Sequence, residues 1–138
     1  MSFKALQEPG FKSALSAQKN SYSPYSNKKI GAAIRLKSGE IFSGCNIENA
    51  SYGATVCAER VALWTAVSEK KKIEITDVYV VSPDGSPPWP PCGMCRQVLS
   101  EFCSDKTLIH CSNPGGETYS LPFDQVFPGA FRKKYLQG

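Results

Sequence analysis

Two short cysteine segments constrain the fold of this chain more than any other feature of its sequence. They span residues 55–60 (TVCAER) and 91–97 (PCGMCRQ), and each follows irregular chain and opens a segment with apolar residues at helical spacing. Backbone N–H groups at a helix start are unpaired and favour negative charge, so a cysteine there loses its proton more easily. The fold must therefore bring two helix starts together if Cys57, Cys92 and Cys95 are to bind one metal ion.

Three thiolates form a ligand set suited to Zn²⁺, and they leave its fourth tetrahedral position free, as in catalytic rather than structural sites. A water in that position becomes acidic enough to react near neutral pH. Glu59, two residues after Cys57, could take a proton from this water without binding the metal. These segments resemble the zinc-deaminase pattern of a ligand-x-Glu element followed by Pro-Cys-x-x-Cys, with Cys57 in place of histidine; in that pattern the glutamate is the general acid and base. We therefore predict that Cys57, Cys92 and Cys95 are metal ligands and that Glu59 is catalytic.

Other interpretations of the cysteines stay open at this point. Six cysteines in 138 residues could form a disulfide framework. Residues 1–10 lack the apolar core of a secretory signal and contain a Pro-Gly break, so we expect a cytoplasmic protein with reduced thiols. A Cys-x-x-Cys turn alone also occurs in structural zinc sites and in redox pairs, whereas the joint pattern of the two segments favours a catalytic zinc. The cysteines without such spacing are interpreted as small buried apolar residues: Cys45, Cys103 and Cys111.

Hydrophobic periodicity and turn signals predict alternating strands and helices. Ser38-Gly39 between two apolar segments indicates a hairpin, and a β-branched apolar run indicates a buried strand. The predicted helices are residues 11–20, 56–69 and 93–103, the predicted strands are 30–37, 40–45, 75–81 and 107–111, and short helical pieces are predicted within 122–136. This alternation predicts an α/β fold, with a sheet covered by helices, in a single domain over residues 1–138.

Charge and hydropathy indicate the class of binding partner. A net charge of +4 and a pI near 8.7 are only mildly basic, short of what a nucleic-acid-binding protein shows. No apolar run approaches the ~20 residues that a membrane span needs. We therefore expect a small-molecule substrate, with no stable nucleic-acid partner and no membrane partner.

A wider pattern covers most of the chain. It consists of Ser23-Pro24-Tyr25-Ser26, Gly31-Ala32-Ala33, residues 44–52 (GCNIENASY), the two cysteine segments, and Pro128-Gly129-Ala130-Phe131. This pattern resembles the small, homotetrameric, zinc-dependent cytidine deaminase family. The resemblance implies a three-layer α/β/α fold with a mixed five-stranded sheet. It also implies bound Zn²⁺, hydrolysis of cytidine or deoxycytidine to uridine or deoxyuridine plus ammonia in pyrimidine salvage, and a homotetramer.

The resemblance also implies how the substrate is held. Asn46 and Glu48 match the positions that grip the ribose hydroxyls, and an amide and a carboxylate can together donate to and accept from sugar hydroxyls. Ala50, Tyr52 and Phe131 match positions that complete the active site of a neighbouring subunit. Without the resemblance, these residues would be interpreted as polar loop residues and as ordinary core or interface packing.

Two more residues match positions near the zinc thiolates, and one position departs from the family. Arg60 and Gln97 correspond to residues that surround the thiolates, where a hydrogen bond would disperse negative charge.

Lys28 stands where related sequences usually carry an aromatic residue that packs on the pyrimidine ring. Either the alkyl stem of Lys28 lies along the base while its ammonium reaches water, or Trp89 supplies the missing aromatic surface.

Two further functions stay open. An enzyme of the same fold could act on another aminopyrimidine, such as the antibiotic blasticidin S or a base-modified cytidine, and Lys28 is the main support for it. A zinc-stabilised module could instead bind nucleosides or RNA without catalysis. That module would have no use for Glu59 or for an open coordination position, so we expect an enzyme.

Overall fold

The structure, a computed structural model, describes residues 7–137 of the chain. The prediction that residues 1–10 form no secretory signal falls mostly on residues 1–6, which lie outside the described residues. Five strands form one sheet in the order β2-β1-β3-β4-β5, in which β3 and β4 are parallel and all other neighbours are antiparallel. Their bounds are β1 Gly31–Leu36, β2 Ile41–Cys45, β3 Ile75–Val81, β4 Cys103–Ser112 and β5 Thr118–Pro122.

Helices cover both faces of this sheet. They are α1 Pro9–Gln18, α2 Ala58–Lys70, α3 Gly93–Ser100 and α4 Phe123–Val126, with 3₁₀ turns at Tyr52–Ala54 and Lys133–Tyr135. On one face, Phe11 and Ala14 of α1 pack against Ala33, Tyr79 and Val81. On the other face, the core joins the remaining helices to the sheet through Leu63, Leu99, Phe123, Ile34, Val78 and Ile109. The predicted α/β/α arrangement with a mixed five-stranded sheet is confirmed.

Several predicted elements differ from the structure at their ends. Helix α1 begins at Pro9 rather than residue 11, because the Glu8 carboxylate caps it by accepting from the Phe11 N–H at 3.1 Å. Helix α3 ends at Ser100, and β4 begins at Cys103, four residues earlier than predicted. The residue pattern alone missed β5, an edge strand with largely exposed side chains that carries little hydrophobic signal. Of the three cysteines interpreted as buried, Cys103 and Cys111 are buried and Cys45 is half-buried.

Among the described residues, no helix combines the length and the apolar character that crossing a membrane requires.

Gly44 sets how closely α2 approaches the sheet. A Cβ at this position would lie 2.6 Å from the backbone nitrogen of Ala62 and 2.8 Å from the Cβ of Val61. Neither atom belongs to a flexible side-chain end, so the added methyl would force the helix away from β2. Because α2 begins directly after Cys57, this contact also positions the first cysteine segment.

We therefore expect Gly44→Ala to lower the free energy of unfolding by about 2 kcal/mol, the usual cost of overpacking. Chemical denaturation measures the change. Gly53→Ala is the matched control, because a methyl there meets nothing within 4 Å. A stability loss of equal size in both variants would contradict the proposed role of Gly44.

Candidate metal centre and adjoining cavity

The starts of α2 and α3 bring three cysteine sulfurs together. Cys57 and Cys92 are the N-cap residues of these helices, both with extended backbone, and Cys95 lies in the first turn of α3. The Sγ atoms of Cys57 and Cys92 are 3.7 Å apart, and the three Sγ atoms lie within 4.8 Å of one another. Helix-start N–H groups support negative charge here; the Cys95 N–H points to the Cys92 Sγ at 3.5 Å. Three soft sulfur donors at this spacing could hold a Zn²⁺ ion.

Arg60 provides positive charge beside these sulfurs. Its Nη2 donates to the Cys57 Sγ at 3.4 Å, and its guanidinium lies over the ring of Trp64 at 6.0 Å. Hydrogen bonds from the Cys95 thiol and from Arg60 lower the pKa of Cys57 to about 5, and the shared proton raises the pKa of Cys95. The predicted contact between Arg60 and a thiolate is therefore present in the structure, and it favours the charged form that binds metal.

Glu59 lies in the first turn of α2 and is only 4% exposed. Burial raises the pKa of its carboxyl to about 7, and the negative charge of Cys57 adds to this effect. Because the pKa lies near neutrality, the carboxyl can both accept and release a proton at physiological pH. This is the property that a proton-transferring group needs.

A cavity of about 350 Å³ opens in front of the sulfurs, large enough for a small planar ligand with a sugar. Cys57, Glu59 and Cys92 line one part of it. Its other walls include Lys28, Asn46, Glu48 and Trp89. The structure thus brings two of the three predicted metal ligands, the predicted catalytic carboxylate and the two predicted sugar-binding residues to one cavity, with the buried Cys95 beside those ligands.

Asn46 and Glu48 are held in the cavity wall by neighbouring backbone. The Asn46 amide donates to the Lys28 carbonyl at 2.8 Å and accepts from the Ile30 N–H at 2.9 Å. The Glu48 carboxylate accepts from the N–H groups of Tyr25 and Ser26 at 2.9 and 3.1 Å and from the Ser26 hydroxyl. A carboxylate offers about four acceptor positions. Glu48 therefore keeps capacity for a sugar hydroxyl while being fixed in orientation.

Other predicted site residues do not line this cavity in the single chain, although Tyr52 lines a second pocket that shares Ser26, Glu48 and Thr55 with it. Ala50 is exposed, and Tyr52 and Phe131 are 76% and 55% exposed. Phe131 stacks on Tyr135, with ring centroids 5.7 Å apart. These side chains do not line the cavity formed by the described residues.

Gln97 is not placed beside a thiolate within the described part of the chain. Its Nε2 donates to the Phe131 carbonyl at 2.8 Å and to the Ser100 hydroxyl at 3.3 Å. Gln97 lies two residues after Cys95, and side chains two residues apart on a helix do not face each other. Its observed contact instead fixes the chain at Phe131.

Sequence reasoning missed Arg96, which anchors the second cysteine segment. Its Nε donates to the Pro91 carbonyl at 2.8 Å and its Nη1 to the Val126 carbonyl at 2.7 Å. Arg96 thus joins the loop before Cys92 to the end of α4. The position of Arg96 directly after Cys95 could have indicated a role at the site. Its partner Val126, however, lies 30 residues away, and no local pattern predicts that contact.

Comparisons with known proteins agree with this geometry. The family described as "Cytidine and deoxycytidylate deaminase zinc-binding region" matches residues 5–111. A cytidine deaminase of Halalkalibacterium halodurans is 43% identical over 120 residues, covering 87% of this chain and 89% of the relative. A Blasticidin-S deaminase of Bacillus cereus is 42% identical over 105 residues, covering 72% and 74%. The crystal structure of a cytidine deaminase from Burkholderia pseudomallei superposes with a TM-score of 0.82 at 36% identity, covering 95% of this chain and all of that one.

Proposed function

This chain belongs to the cytidine and deoxycytidylate deaminase family, and from that premise we propose that it hydrolyses cytidine and deoxycytidine to uridine and deoxyuridine with release of ammonia. The observation that carries the proposal is the cluster of Cys57, Cys92 and Cys95, of which Cys57 and Cys92 line one cavity together with the buried Glu59. Such a cluster serves a hydrolytic reaction because it combines a metal site with a group that transfers protons near neutral pH.

The cysteines and Glu59 divide the chemistry. Cys57, Cys92 and Cys95 would hold a Zn²⁺ ion, which would supply the Lewis acidity that makes a water nucleophilic near neutral pH. Glu59 takes a proton from the attacking water and gives it to the ring nitrogen next to C4. As the C4–O bond forms, Glu59 takes the second proton from the oxygen now bound to C4 and passes it to the departing amine, so that the C4–N bond breaks and ammonia leaves. Its buried position keeps bulk water from competing for these protons.

Asn46 and Glu48 orient the substrate in this proposal, by hydrogen bonds to the ribose hydroxyls. Their support is that both line the same cavity as Glu59 and are fixed by backbone groups. Arg60 stabilises the thiolate form of Cys57, which offsets part of the negative charge that three thiolates place on the metal. Gln97 contributes by holding the chain at Phe131.

The test combines metal analysis with an activity assay on the wild-type protein. We expect about one zinc ion per chain, as a three-cysteine catalytic site requires. We also expect loss of the cytosine absorbance band with equimolar ammonia release from cytidine and deoxycytidine. A protein that holds zinc but leaves both nucleosides unchanged would contradict the proposal.

A second candidate substrate is another aminopyrimidine, such as blasticidin S or a base-modified cytidine. The similarity to the Bacillus cereus relative and the presence of Lys28 in the cavity wall favour it. Including blasticidin S in the same assay separates the candidates. If kcat/KM is higher for blasticidin S than for cytidine, blasticidin S and not cytidine is the preferred substrate.

We further propose that the protein assembles as a homotetramer, in which Ala50, Tyr52 and Phe131 reach a neighbouring active site. The support is that the two aromatic side chains are largely exposed in the single chain, together with Leu136 at 77%. We also place the protein in the cytoplasm, in the salvage of pyrimidine nucleosides. Six free cysteines suit a reducing compartment.

Phe131→Ser tests the assembly. We expect it to shift the tetramer toward smaller species and to lower kcat/KM for cytidine by about tenfold, because a buried aromatic contact between subunits is worth roughly 1.5 kcal/mol or more. Light scattering coupled to size exclusion measures the assembly. Phe131→Leu keeps most of the apolar surface and should stay closer to wild type. Full activity of a monomeric Phe131→Ser protein would contradict the shared site.

A further inference from the structure

Trp89 is a large aromatic side chain at the cavity, close to the metal ligands. It lines the same cavity as Glu59 and lies three residues before Cys92. Its side chain is half-exposed, at 44%. A tryptophan that lines a cavity can contribute a flat apolar wall to whatever binds there.

The backbone of Trp89 is firmly anchored. Its N–H donates to the Ser82 hydroxyl at 3.2 Å, and that hydroxyl donates to the Ser112 carbonyl at 3.2 Å. Ser82 follows β3, and Ser112 ends β4, so the loop is tied to the two central parallel strands. Pro88 and Pro91 on either side are fully buried. The indole therefore projects from a rigid base, which lowers the entropy lost when a ligand packs on it.

Within the single chain, the other described walls of the cavity offer no aromatic surface. Among the described residues that line it, Trp89 is the sole aromatic side chain. Ile30, Val56 and Val80 are aliphatic, and Lys28 carries an ammonium group that needs water or an acceptor. The Lys28 N–H is bound to the Ser26 hydroxyl at 3.0 Å and its carbonyl to Asn46, so its backbone is fixed as well.

From this geometry we propose that Trp89 is the residue on which the pyrimidine ring of the substrate stacks, and that it supplies binding energy for a flat ring. The inference rests on the proposed function and adds the residue that recognises the ring. Stacking of a base on an aromatic side chain contributes about 1–3 kcal/mol and depends little on the identity of the base. Trp89 thus supplies ring binding, while Asn46 and Glu48 hold the sugar.

The first test separates substrate binding from chemistry. For Trp89→Ala we expect KM for cytidine to rise about tenfold while kcat stays within about threefold of wild type. Trp89→Phe keeps an aromatic face and should restore most of the loss. Zinc content, measured on each variant, reports whether the neighbouring Cys92 still binds metal. In the background of Trp89→Ala, Lys28→Phe should recover part of the KM, because it adds a second flat surface to the same cavity.

The second test uses fluorescence and does not depend on turnover. The chain has two tryptophans, so Trp64→Phe leaves Trp89 as the only indole. Titration of that variant with uridine should quench its emission to saturation, at a midpoint that does not change with protein concentration. Trp89→Phe, which leaves Trp64, is the matched control and should show no saturable change.

An unchanged KM in Trp89→Ala, or no ligand-dependent quenching in Trp64→Phe, would overturn the proposal. If Trp89→Ala loses zinc, the fluorescence titration decides alone. These failures differ from failure of the proposed function, because a wild-type protein that deaminates cytidine normally would still establish the activity.

Discussion

Glu59→Gln is expected to lose turnover of cytidine by about a thousandfold or more while retaining its zinc, because proton transfer by a positioned group contributes roughly 10²–10⁴-fold. The glutamine has the same shape and can still form hydrogen bonds, but it cannot accept a proton from water or pass it to the ring. The raised pKa of Glu59, about 7, is lost with the carboxyl. Steady-state kinetics and metal analysis of the purified variant provide the measurement.

Glu69→Gln is the matched control for this substitution. Glu69 lies on the same helix α2 but is exposed, near the end distant from the cysteines. The same chemical change there should leave kcat and zinc content unaltered. If Glu59→Gln kept more than about a tenth of wild-type turnover, the assignment of Glu59 as the proton-transferring residue would be wrong.

Cys95→Ala is expected to abolish both zinc binding and activity. Cys95 is fully buried in the first turn of α3, and it is the sulfur whose proton is shared with Cys57. Removing it leaves two ligands, which cannot hold zinc with the affinity of a catalytic site. Metal binding stabilises the folded state, so the variant should also melt about 5 °C or more below the zinc-loaded wild type.

Metal removal distinguishes a lost ligand from a damaged fold. Wild type stripped by a chelator should regain activity when Zn²⁺ is added, whereas Cys95→Ala should not. Cys103→Ala removes another buried thiol that lies outside the cluster of three sulfurs, and it should keep its zinc. Wild-type zinc content in Cys95→Ala would show that the three sulfurs do not form the site.

Local sequence patterns predicted those parts of the fold that depend on neighbouring residues. The bounds of β3 match the β-branched run over residues 75–81, since a strand buried among others is apolar along its length. The turn at Ser38-Gly39 forms as predicted, and Gly39 adopts φ 93°, a conformation that suits glycine. Strand β5 escaped the same reasoning because pairing with β4, not its own hydrophobicity, holds it in place.

In the candidate site, too, local sequence patterns predicted the features that depend on neighbouring residues and missed those that depend on distant contacts. Sequence spacing alone predicted that Cys57, Cys92 and Cys95 could be ligands and that Glu59 stands two residues from one of them, because spacing within a helix start is a local property. The expected contact of Gln97 with a thiolate depended on the direction of its side chain. In the structure, the Gln97 amide instead donates to the Phe131 carbonyl. Arg96 escaped notice because its contact joins distant parts of the chain.

By itself, therefore, the sequence determined which chemical groups are available: three sulfurs in two segments, a carboxylate beside one of them, and an alternating α/β pattern to carry them. The tertiary structure decided how they act together. It placed sulfurs 35 residues apart within 3.7 Å, buried Glu59 enough to raise its pKa to about 7, and set Trp89 against the same cavity. Distances between elements and the burial of a charge arise only from packing, which is why local patterns could not supply them.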